Sequence, residues 1–298
     1  MDTLESLRRK IGNAMELGSV VRTMKAMAAL NIGQYEMVTM ALHDYYHTIE
    51  LGIMVYLKHE KISIAATSPK SVDGKPIIAI VFGSDQGLVG GFNELLAHFT
   101  TDTINGLHGK KEIWAVGERI QNLLADKRLN VSQLFSVPNS VTAITSLVAK
   151  VLVNIDKERQ KEGSQEFYIF HNRSKSATSY EPDYQRLWPL DNKWQQGLEH
   201  YKWPTNQLPE VIGGMQPTLA SLVREYLFVS LYKACAESMA SENESRLQAM
   251  QRAEKNIDEL MDDLNKRYHQ LRQSSIDEEL FDIVSGFQAL KEKRSNIL

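Results

Sequence analysis

This chain of 298 residues has a single cysteine and no excess of positive charge. The single cysteine, Cys235, excludes an internal disulfide and a cluster of thiolate metal ligands, and it fits a reducing compartment. Lysine and arginine number 34 against 37 aspartates and glutamates, so the formal charge of -3 provides no basic surface for duplex nucleic acid. We therefore expect no nucleic-acid partner.

The chain also lacks a long uncharged apolar run. A membrane-spanning helix needs about 18 or more consecutive apolar residues, and no such run occurs in this sequence. The charged segment Met1–Lys10 has no apolar core of the kind that a secretory signal peptide carries. We therefore expect no direct membrane span and no secretion signal.

Proline is missing from both ends of the chain. All eight prolines lie between Pro69 and Pro217, and the segment Thr218–Ser285 contains neither proline nor glycine. This segment is rich in Leu, Ala, Met, Glu, Lys, Arg and Gln, which are good helix formers. The composition predicts one very long C-terminal helix.

Apolar residues recur every seven positions in both terminal segments, which is typical of coiled coils. The C-terminal row consists of Leu222, Val229, Ala236, Asn243, Met250, Ile257, Leu264 and Leu271. The N-terminal row consists of Leu7, Ala14, Val21, Ala28, Tyr35, Leu42, Ile49 and Tyr56. Asn243 interrupts its own row, and Lys233 and Glu254 interrupt the companion C-terminal row. The pattern predicts that the two terminal helices pack against each other.

Glycines lie inside the predicted N-terminal helix, at positions 12, 18, 33 and 52. Each costs about 1 kcal/mol of helix stability relative to alanine. Gly18 lies on the same apolar seam of the helix as Ala14 and Ala28, where small residues let two helix backbones approach closely. We expect close contact with the partner helix to offset the cost.

The middle of the chain alternates between strand and helix patterns. Apolar runs predict strands at Pro76–Gly83, Glu112–Gly117 and Glu166–His171, with Tyr180–Pro189 as a candidate fourth strand. The segments between them predict helices over 94–103, 118–127 and 141–161. Such alternation is typical of a small parallel α/β domain. The predicted parts are a helix over 1–60, a head over 76–190, a connector over 191–217, a helix over 218–290 and a tail over 291–298.

Three features of the sequence are candidate chemical sites. The loop Gly83–Asn93 follows a strand and precedes a helix, but it has neither the GK[ST] of a P-loop nor the GxGxxG of dinucleotide folds, which favours a structural turn. His43 and His47 share a helical face and His59 could join them, yet Asp44 stands where a zincin has glutamate, so no metal is expected. Cys235 fits a packed core residue better than a nucleophile. No cofactor and no catalytic constellation is expected, and the residues alone indicate a structural or coupling protein.

Three segments resemble the gamma subunit of F-type ATP synthases. Leu7–Asn31 (LRRKIGNAMELGSVVRTMKAMAALN) is similar to the N-terminal helix of that family. Ser84–Asn93 (SDQGLVGGFN) is similar to the family's S-D-R-G-L-C-G-G-[FY]-N. Ala236–Leu290, which opens AESMASENESRLQAM, resembles the signature A-E-S-x-A-S-E-N-x-x-R-x-x-A-M that runs through R-Q-x-x-I to E-I-V-x-G-A-x-A-L. The resemblance covers the whole chain in order.

The resemblance implies a fold and a role. The fold is a long antiparallel two-helix coiled coil, made from the N- and C-terminal segments, with a central Rossmann-like α/β domain. The role is that of a non-catalytic rotor shaft, one copy per complex, which couples ion-driven rotation of the c ring to ATP synthesis or hydrolysis. Its partners would be the alpha and beta subunits, the epsilon subunit and the c-subunit ring, on the cytoplasmic face of the inner (plasma) membrane.

The resemblance also assigns contact residues. Arg272 and Gln273 match the family's R-Q pair, which hydrogen-bonds a beta-subunit loop and is called the catch below. Met24, Lys25 and Gln86 match positions that contact the ring of alpha and beta subunits. An apolar tip that turns in a sleeve of this alpha/beta ring would consist of Ile276, Leu280, Ile283, Val284, Phe287 and Leu290.

This sequence departs from the family pattern at several positions. Gln86 replaces the family's arginine, Glu16–Ser19 replaces an N-T-Q-K segment, Asp277 replaces a threonine, and Lys291–Leu298 extends past the usual end. These departures suggest a divergent or alternative F-type ATPase. Two other interpretations stay open: a nucleotide-binding α/β enzyme with helical dimerisation arms, and a coiled-coil scaffold with no ATPase role.

Overall fold

The computed structural model describes residues 3–60, 75–160, 165–176, 179–190, 192–199, 201, 203–207, 209–211 and 214–295. The chain divides into two compact units, one formed by Met1–Ala26 with Met250–Leu298 and the other by Met27–Ala249. Two long helices contribute to both: α1 (Leu4–Glu60) and α6 (Met215–Ser295). The Thr3 hydroxyl accepts a hydrogen bond from the Ser6 amide (3.2 Å), which satisfies one free donor at the start of α1.

The C-terminal helix is longer than its proline-free segment predicts. Helix α6 begins at Met215, so Pro217 lies in its first turn, where the missing amide hydrogen has no helical partner to lose. The preceding Gly214 has a φ of 100°, a conformation that favours glycine. The helix also continues through Gly286.

In the first unit, the two helices form an antiparallel coiled coil. Near the start of α1, Leu7 and Ala14 form a buried cluster with Leu264 of α6. Further along α1, Val21 forms a cluster with Met250 and Ile257. Later positions on α1 thus meet earlier positions on α6, and the buried side chains belong to the two predicted heptad rows.

In the second unit, hydrogen bonds explain why the polar residue Asn243 is tolerated in the apolar C-terminal row. Asn243 is buried, and its side-chain amide donates a hydrogen bond to the Met239 carbonyl (2.8 Å). Its Oδ1 accepts longer hydrogen bonds from Asn31 and Arg246, both 3.4 Å. Each polar atom of Asn243 therefore has a partner, which removes much of the cost of burying it.

The glycines of α1 behave differently from one another. A Cβ atom on Gly18 would contact Ile257 Cγ2 at 3.5 Å, and one on Gly52 would contact Leu222 Cδ2 at 3.2 Å. A Cβ on Gly12 or Gly33 would meet nothing within 4 Å. The expectation of compensating close contact is therefore wrong for Gly12 and Gly33, because both face open space.

Gly33→Ala should stabilise the chain. Alanine loses less backbone entropy in a helix, and its methyl group meets no neighbour here, so we expect the free energy of unfolding to rise by about 0.5 to 1 kcal/mol. Urea unfolding followed by circular dichroism measures the change. Gly52→Ala is the matched comparison, since crowding against Leu222 should reduce or reverse the gain. A loss of stability in Gly33→Ala would contradict the prediction.

The α/β head is built around one five-stranded sheet. Its strands are β1 (Ile77–Phe82), β2 (Lys111–Val116), β3 (Val131–Phe135), β4 (Glu166–Ser176) and β5 (Ser179–Trp188). They lie side by side in the order β3-β2-β1-β4-β5. The connecting helices are α2 (Phe92–Asn105), α3 (Glu118–Asp126), α4 (Val141–Arg159) and α5 (Asn192–Glu199).

The sheet and the connector together differ from the prediction in three respects. It is mixed rather than wholly parallel, because β5 follows β4 after two residues and pairs with it antiparallel. Strand β3 was missed, since its half-buried sequence VSQLF contains no continuous apolar run. The predicted connector contains helix α5.

Two apolar cores lie on the two faces of the sheet. Alternate residues of β1 divide between them, so that Ile78 and Ile80 join one cluster while Ala79 and Val81 join the other. The first cluster includes buried residues of α1, α4 and α6, and the second includes those of α2 and α3. The head is therefore a layered α/β fold in which the ends of both long helices that lie in this unit are part of the core.

No helix in the described ranges is both long enough and apolar enough to cross a membrane.

Candidate functional site

The end of α6 in the first unit continues beyond the coiled coil. The last apolar contacts with the start of α1 are made by Tyr268 and Leu271, which pack beside Leu7 and Ile11. After Leu271, α6 continues to Ser295. Within the described ranges, no other helix covers this segment, and residues 276–286 are exposed.

Arg272 and Gln273 are the first two residues after the last seam contact. Both are exposed, and neither forms a hydrogen bond or an ion pair within the part of the chain that the structure describes. The guanidinium of Arg272 has five donors in a planar fork, which can grip a carboxylate through two hydrogen bonds. The two side chains are thus available to a partner.

The predicted apolar tip is exposed where its side chains are described. Ile276, Leu280, Ile283 and Val284 are all exposed. The side chains of Phe287 and Leu290 lie outside those described. Phe281 was missed by the sequence interpretation, yet 73% of its surface is accessible, more than for the other four. Its position between Leu280 and Ile283 was the available signal. Exposed apolar surface of this kind marks an interaction site.

Met24 and Lys25 are engaged within the coiled coil. Met24 is partly buried and packs on the cluster of Val21, Met250 and Ile257. Lys25 forms an ion pair with Glu254 of α6. Glu254 interrupted the predicted apolar row, and its partner across the seam explains why a carboxylate is tolerated there. Charged residues at seam positions of both helices were the signal that sequence reasoning did not use.

The loop before α2 is held by its own side chains. The Asp85 carboxylate accepts hydrogen bonds from the amides of Glu118 and Val137, both at 3.0 Å. Asn93 bonds Ser84 twice, accepting from its amide (3.0 Å) and donating to its hydroxyl (2.8 Å). Asp85 therefore occupies the start of α3, where a phosphate would otherwise find free amides. These hydrogen bonds give the loop a structural role, as a turn that ties β1 to the starts of α2 and α3.

Two side chains of this loop face outward. Gln86 and Leu88 are exposed, and Leu88 has a φ of 62°, which is uncommon for a residue with a branched side chain. The Ser84 hydroxyl donates to the Gln86 carbonyl (2.8 Å) and fixes the turn. On the inner side, the Ser245 hydroxyl of α6 donates to the Val89 carbonyl. The loop thus presents a fixed outer surface made of Gln86 and Leu88.

The remaining chemical candidates lie apart from this surface. The Cys235 thiol is buried, and burial raises its pKa, so the thiol stays protonated in the core. His47 packs edge-on against the Tyr201 ring, with 4.6 Å between ring centroids. The side chain of His59 lies outside those described. Among the residues that the structure describes, no three His, Cys, Asp or Glu side chains are placed to hold a metal ion.

Comparison with known proteins gives the chain its relatives. A protein named ATP synthase gamma chain from Geotalea daltonii is 26% identical over 301 residues, which cover 98% of this chain and 100% of that protein. A protein of the same name from Bdellovibrio bacteriovorus is 25% identical over 297 residues, with the same coverage of 98% and 100%. The similarity therefore extends over both terminal helices and the head.

Solved structures show the same fold. A chain in the OSCP, F1 and c-ring assembly of the Euglena gracilis mitochondrial ATP synthase aligns with a TM-score of 0.62 and 17% identity, covering 96% of this chain and 94% of that one. A chain of the Tetrahymena thermophila mitochondrial ATP synthase central stalk and c-ring aligns with a TM-score of 0.56 and 18% identity, covering 78% and 99%. The family model described as ATP synthase matches residues 3–290. The chain therefore belongs to the ATP synthase family, as its sequence motifs indicate.

Proposed function

We propose that this chain is the central rotor shaft of an F-type ATP synthase, corresponding to the gamma subunit. The observation that carries the proposal is the end of α6, where a coiled coil built from both chain ends gives way to a single exposed helix. Among the described residues, Arg272 on this helix has no partner, and the apolar side chains that follow it are exposed. Relatives named ATP synthase gamma chain match over their full length. A coiled-coil scaffold outside ATP synthases explains neither finding.

The shaft would work through unequal contacts. An asymmetric shaft presents a different face to each beta subunit, so each subunit is stabilised in a different state and binds nucleotide with a different affinity. A partner can shift such an equilibrium only by binding one state better than another. Rotation driven by ions at the c ring then changes the affinities in turn. Catalysis belongs to the alpha and beta subunits, and this chain is non-catalytic and needs no cofactor.

The contact residues follow from their exposure. Arg272 and Gln273 would hydrogen-bond a beta-subunit loop, and the apolar tip around Ile276 and Leu280 would turn in an apolar sleeve, where no single orientation is held by directional bonds. Gln86, which lies in the head, would contact the ring of alpha and beta subunits, with Leu88 beside it. Met24 and Lys25 would act through the coiled coil, because both already have partners in it.

The remaining partners complete the proposal. The head would contact the epsilon subunit and the c-subunit ring, with one copy of the chain in each complex. The complex would lie on the cytoplasmic face of the inner (plasma) membrane, with this chain peripheral to the bilayer.

Reconstitution tests the proposal. The cognate alpha and beta subunits are mixed with and without this chain at fixed nucleotide and salt, and mass and ATP turnover are measured after size exclusion. We expect one chain per alpha/beta hexamer and sustained ATP hydrolysis that depends on the chain. Folded partners that neither co-elute with the chain nor change their turnover would contradict the rotor role.

A further inference from the structure

The motif AESMASENESRLQAM, in the middle of α6, takes no part in the contacts proposed above. Its polar side chains between Glu237 and Ser245 are turned away from solvent, since each is buried or half-buried. The buried ones are Ser238, Ser241, Glu242, Asn243, Glu244 and Ser245. Buried polar groups are stable only when they have hydrogen-bond partners, and several of the partners here belong to the α/β head.

Two serines of this stretch bond the backbone of the head. The Ser238 hydroxyl donates to the Phe82 carbonyl at the end of β1 (2.7 Å). The Ser245 hydroxyl, about two turns further along α6, donates to the Val89 carbonyl in the loop before α2. The Tyr180 hydroxyl of β5 lies 3.2 Å from the same Ser245 oxygen. Because a hydrogen bond weakens steeply when its angle changes, these bonds favour one rotation of α6 about its own axis.

A charged pair joins α6 to strand β4 beside Ser238. Nε2 of His171 lies 2.7 Å from Oε2 of Glu237, and the two side chains are only 7% and 19% exposed. Burial alone raises the pKa of Glu237, but the hydrogen bond and charge of His171, followed by Lys233, outweigh burial and lower the pKa overall. Glu237 is therefore ionised at neutral pH. A hydrogen bond to a charged group is about twice as strong as one between neutral groups.

These bonds together tie one short stretch of α6 to four parts of the head. We call the set the polar junction, and it consists of Glu237, Ser238 and Ser245 on α6 with His171 and Tyr180 on the sheet. Through it, α6 is bonded to β1, β4, β5 and the loop before α2. All of these residues lie in the second unit.

The part of α6 that precedes the junction contacts the head differently. Tyr226, Val229, Leu231 and Ala236 are buried in the first apolar core. The free energy of such burial depends on the area removed from water and not on direction. Apolar contact therefore holds α6 on the head, but it resists rotation about the helix axis less than directional hydrogen bonds do.

We propose that the polar junction fixes the rotation of α6 against the sheet, so that the head and this helix turn as one body. Its use in passing rotation between the c ring and the alpha/beta ring rests on the proposed function. His171 and Glu237 are positioning residues, because they act through α6 and not on nucleotide. The junction uses none of the residues assigned to the catch, the tip or the Gln86 loop.

Force spectroscopy on the full chain tests the junction without any other subunit. Lys127→Cys at the end of α3 and Gln251→Cys on α6 supply attachment points at exposed positions, while Cys235 is buried and stays unlabelled. Load applied at position 251 reaches the junction before the apolar part of α6. The readout is how long α6 stays attached to the head at constant force. We expect Glu237→Ala to shorten this lifetime about tenfold, because a charge-assisted hydrogen bond is lost.

Matched variants assign the effect to the bonds. Glu237→Gln keeps an oxygen that accepts from His171 Nε2 and should restore most of the lifetime. Ser238→Ala loses a neutral hydrogen bond and should shorten it about threefold, which keeps the test decisive if Glu237→Ala does not fold. Ile104→Val lowers overall stability through the core that α2 and α3 form on the other face of the sheet, and it should leave the lifetime unchanged. Equal shortening in Ile104→Val, or unchanged lifetimes in Glu237→Ala and Ser238→Ala, would overturn the proposal.

The assembled complex then tests the use of the junction in rotation. The cognate alpha and beta subunits are fixed to a surface, and a bead on the head reports its angular fluctuation while the rotor pauses. Glu237→Ala should widen this fluctuation, because the head can then turn against α6, whereas Ile104→Val should not. An unchanged width in Glu237→Ala would overturn the role of the junction in rotation. Failure of the unmodified chain to assemble would contradict the rotor role instead, and the lifetimes of the isolated chain still decide whether the junction holds α6.

Discussion

Gly117→Ala is expected to destabilise the head by about 2 to 6 kcal/mol. Gly117 follows strand β2 and precedes helix α3, with a φ of 115° that a residue with a Cβ atom rarely adopts. A Cβ there would lie 2.5 Å from the Ser84 carbonyl oxygen and 2.7 Å from its carbonyl carbon. Backbone strain and overpacking each cost about 1 to 3 kcal/mol, and both apply at once.

The Ser84 backbone has little freedom to move away. Its carbonyl accepts a hydrogen bond from the Arg119 amide (3.0 Å), and its amide donates to Asn93 (3.0 Å). Urea unfolding measures the loss. Gly87→Ala is the control, because a Cβ on Gly87 meets nothing within 4 Å and the residue does not have a positive φ, so its effect should stay within about 0.5 kcal/mol. A loss below about 1 kcal/mol in Gly117→Ala would contradict the argument.

Arg272→Ala is expected to slow ATP turnover by the assembled complex about tenfold. Loss of a hydrogen-bonded charge at an interface costs about 1.5 to 3 kcal/mol, and each 1.4 kcal/mol in a barrier is a factor of ten in rate. The exposed side chain has no partner within the described part of this chain. The free energy of unfolding of the isolated chain should therefore be unchanged.

Arg267→Ala is the matched control for this variant. Arg267 lies on the same helix, is exposed, and pairs with Asp263 of its own helix at 2.8 Å. Its removal should leave turnover close to normal, since solvent-exposed pairs contribute little. Full turnover with Arg272→Ala, or an equal loss with Arg267→Ala, would contradict the role of Arg272 as the catch.

The coiled coil and most of the sheet could be predicted from sequence because both repeat a simple pattern. The heptad rows through Leu7 and Leu264 bury as predicted, since burial along a helix follows a period near 3.5. Strand β1 was found because its six residues are apolar and buried on both faces. Strand β3 was missed because an edge strand needs apolar residues on one face only.

The candidate sites were less predictable because they depend on distant parts of the chain. The ion pair of Lys25 with Glu254 joins residues that are far apart in sequence, and neither residue alone identifies its partner. The cavity between α1, β4 and α6 likewise combines Glu36, Ser174 and Glu237 from three separate elements. Exposure of the tip could be inferred from the family resemblance, but Phe281 lies outside the carried-over motif positions, so only the structure identified it.

The ion pair between Lys25 and Glu254 has a mechanical consequence. A shaft that transmits torque must resist sliding of one helix along the other, and purely apolar seams offer weak resistance because one apolar residue replaces another. Here a slip of seven residues in one direction would put Met261 in the place of Glu254 opposite Lys25. The ammonium group would then lose its ion-pair partner and face an apolar side chain, which disfavours the slipped alignment. The ion pair thus favours one register of the two helices and opposes sliding while the shaft is twisted.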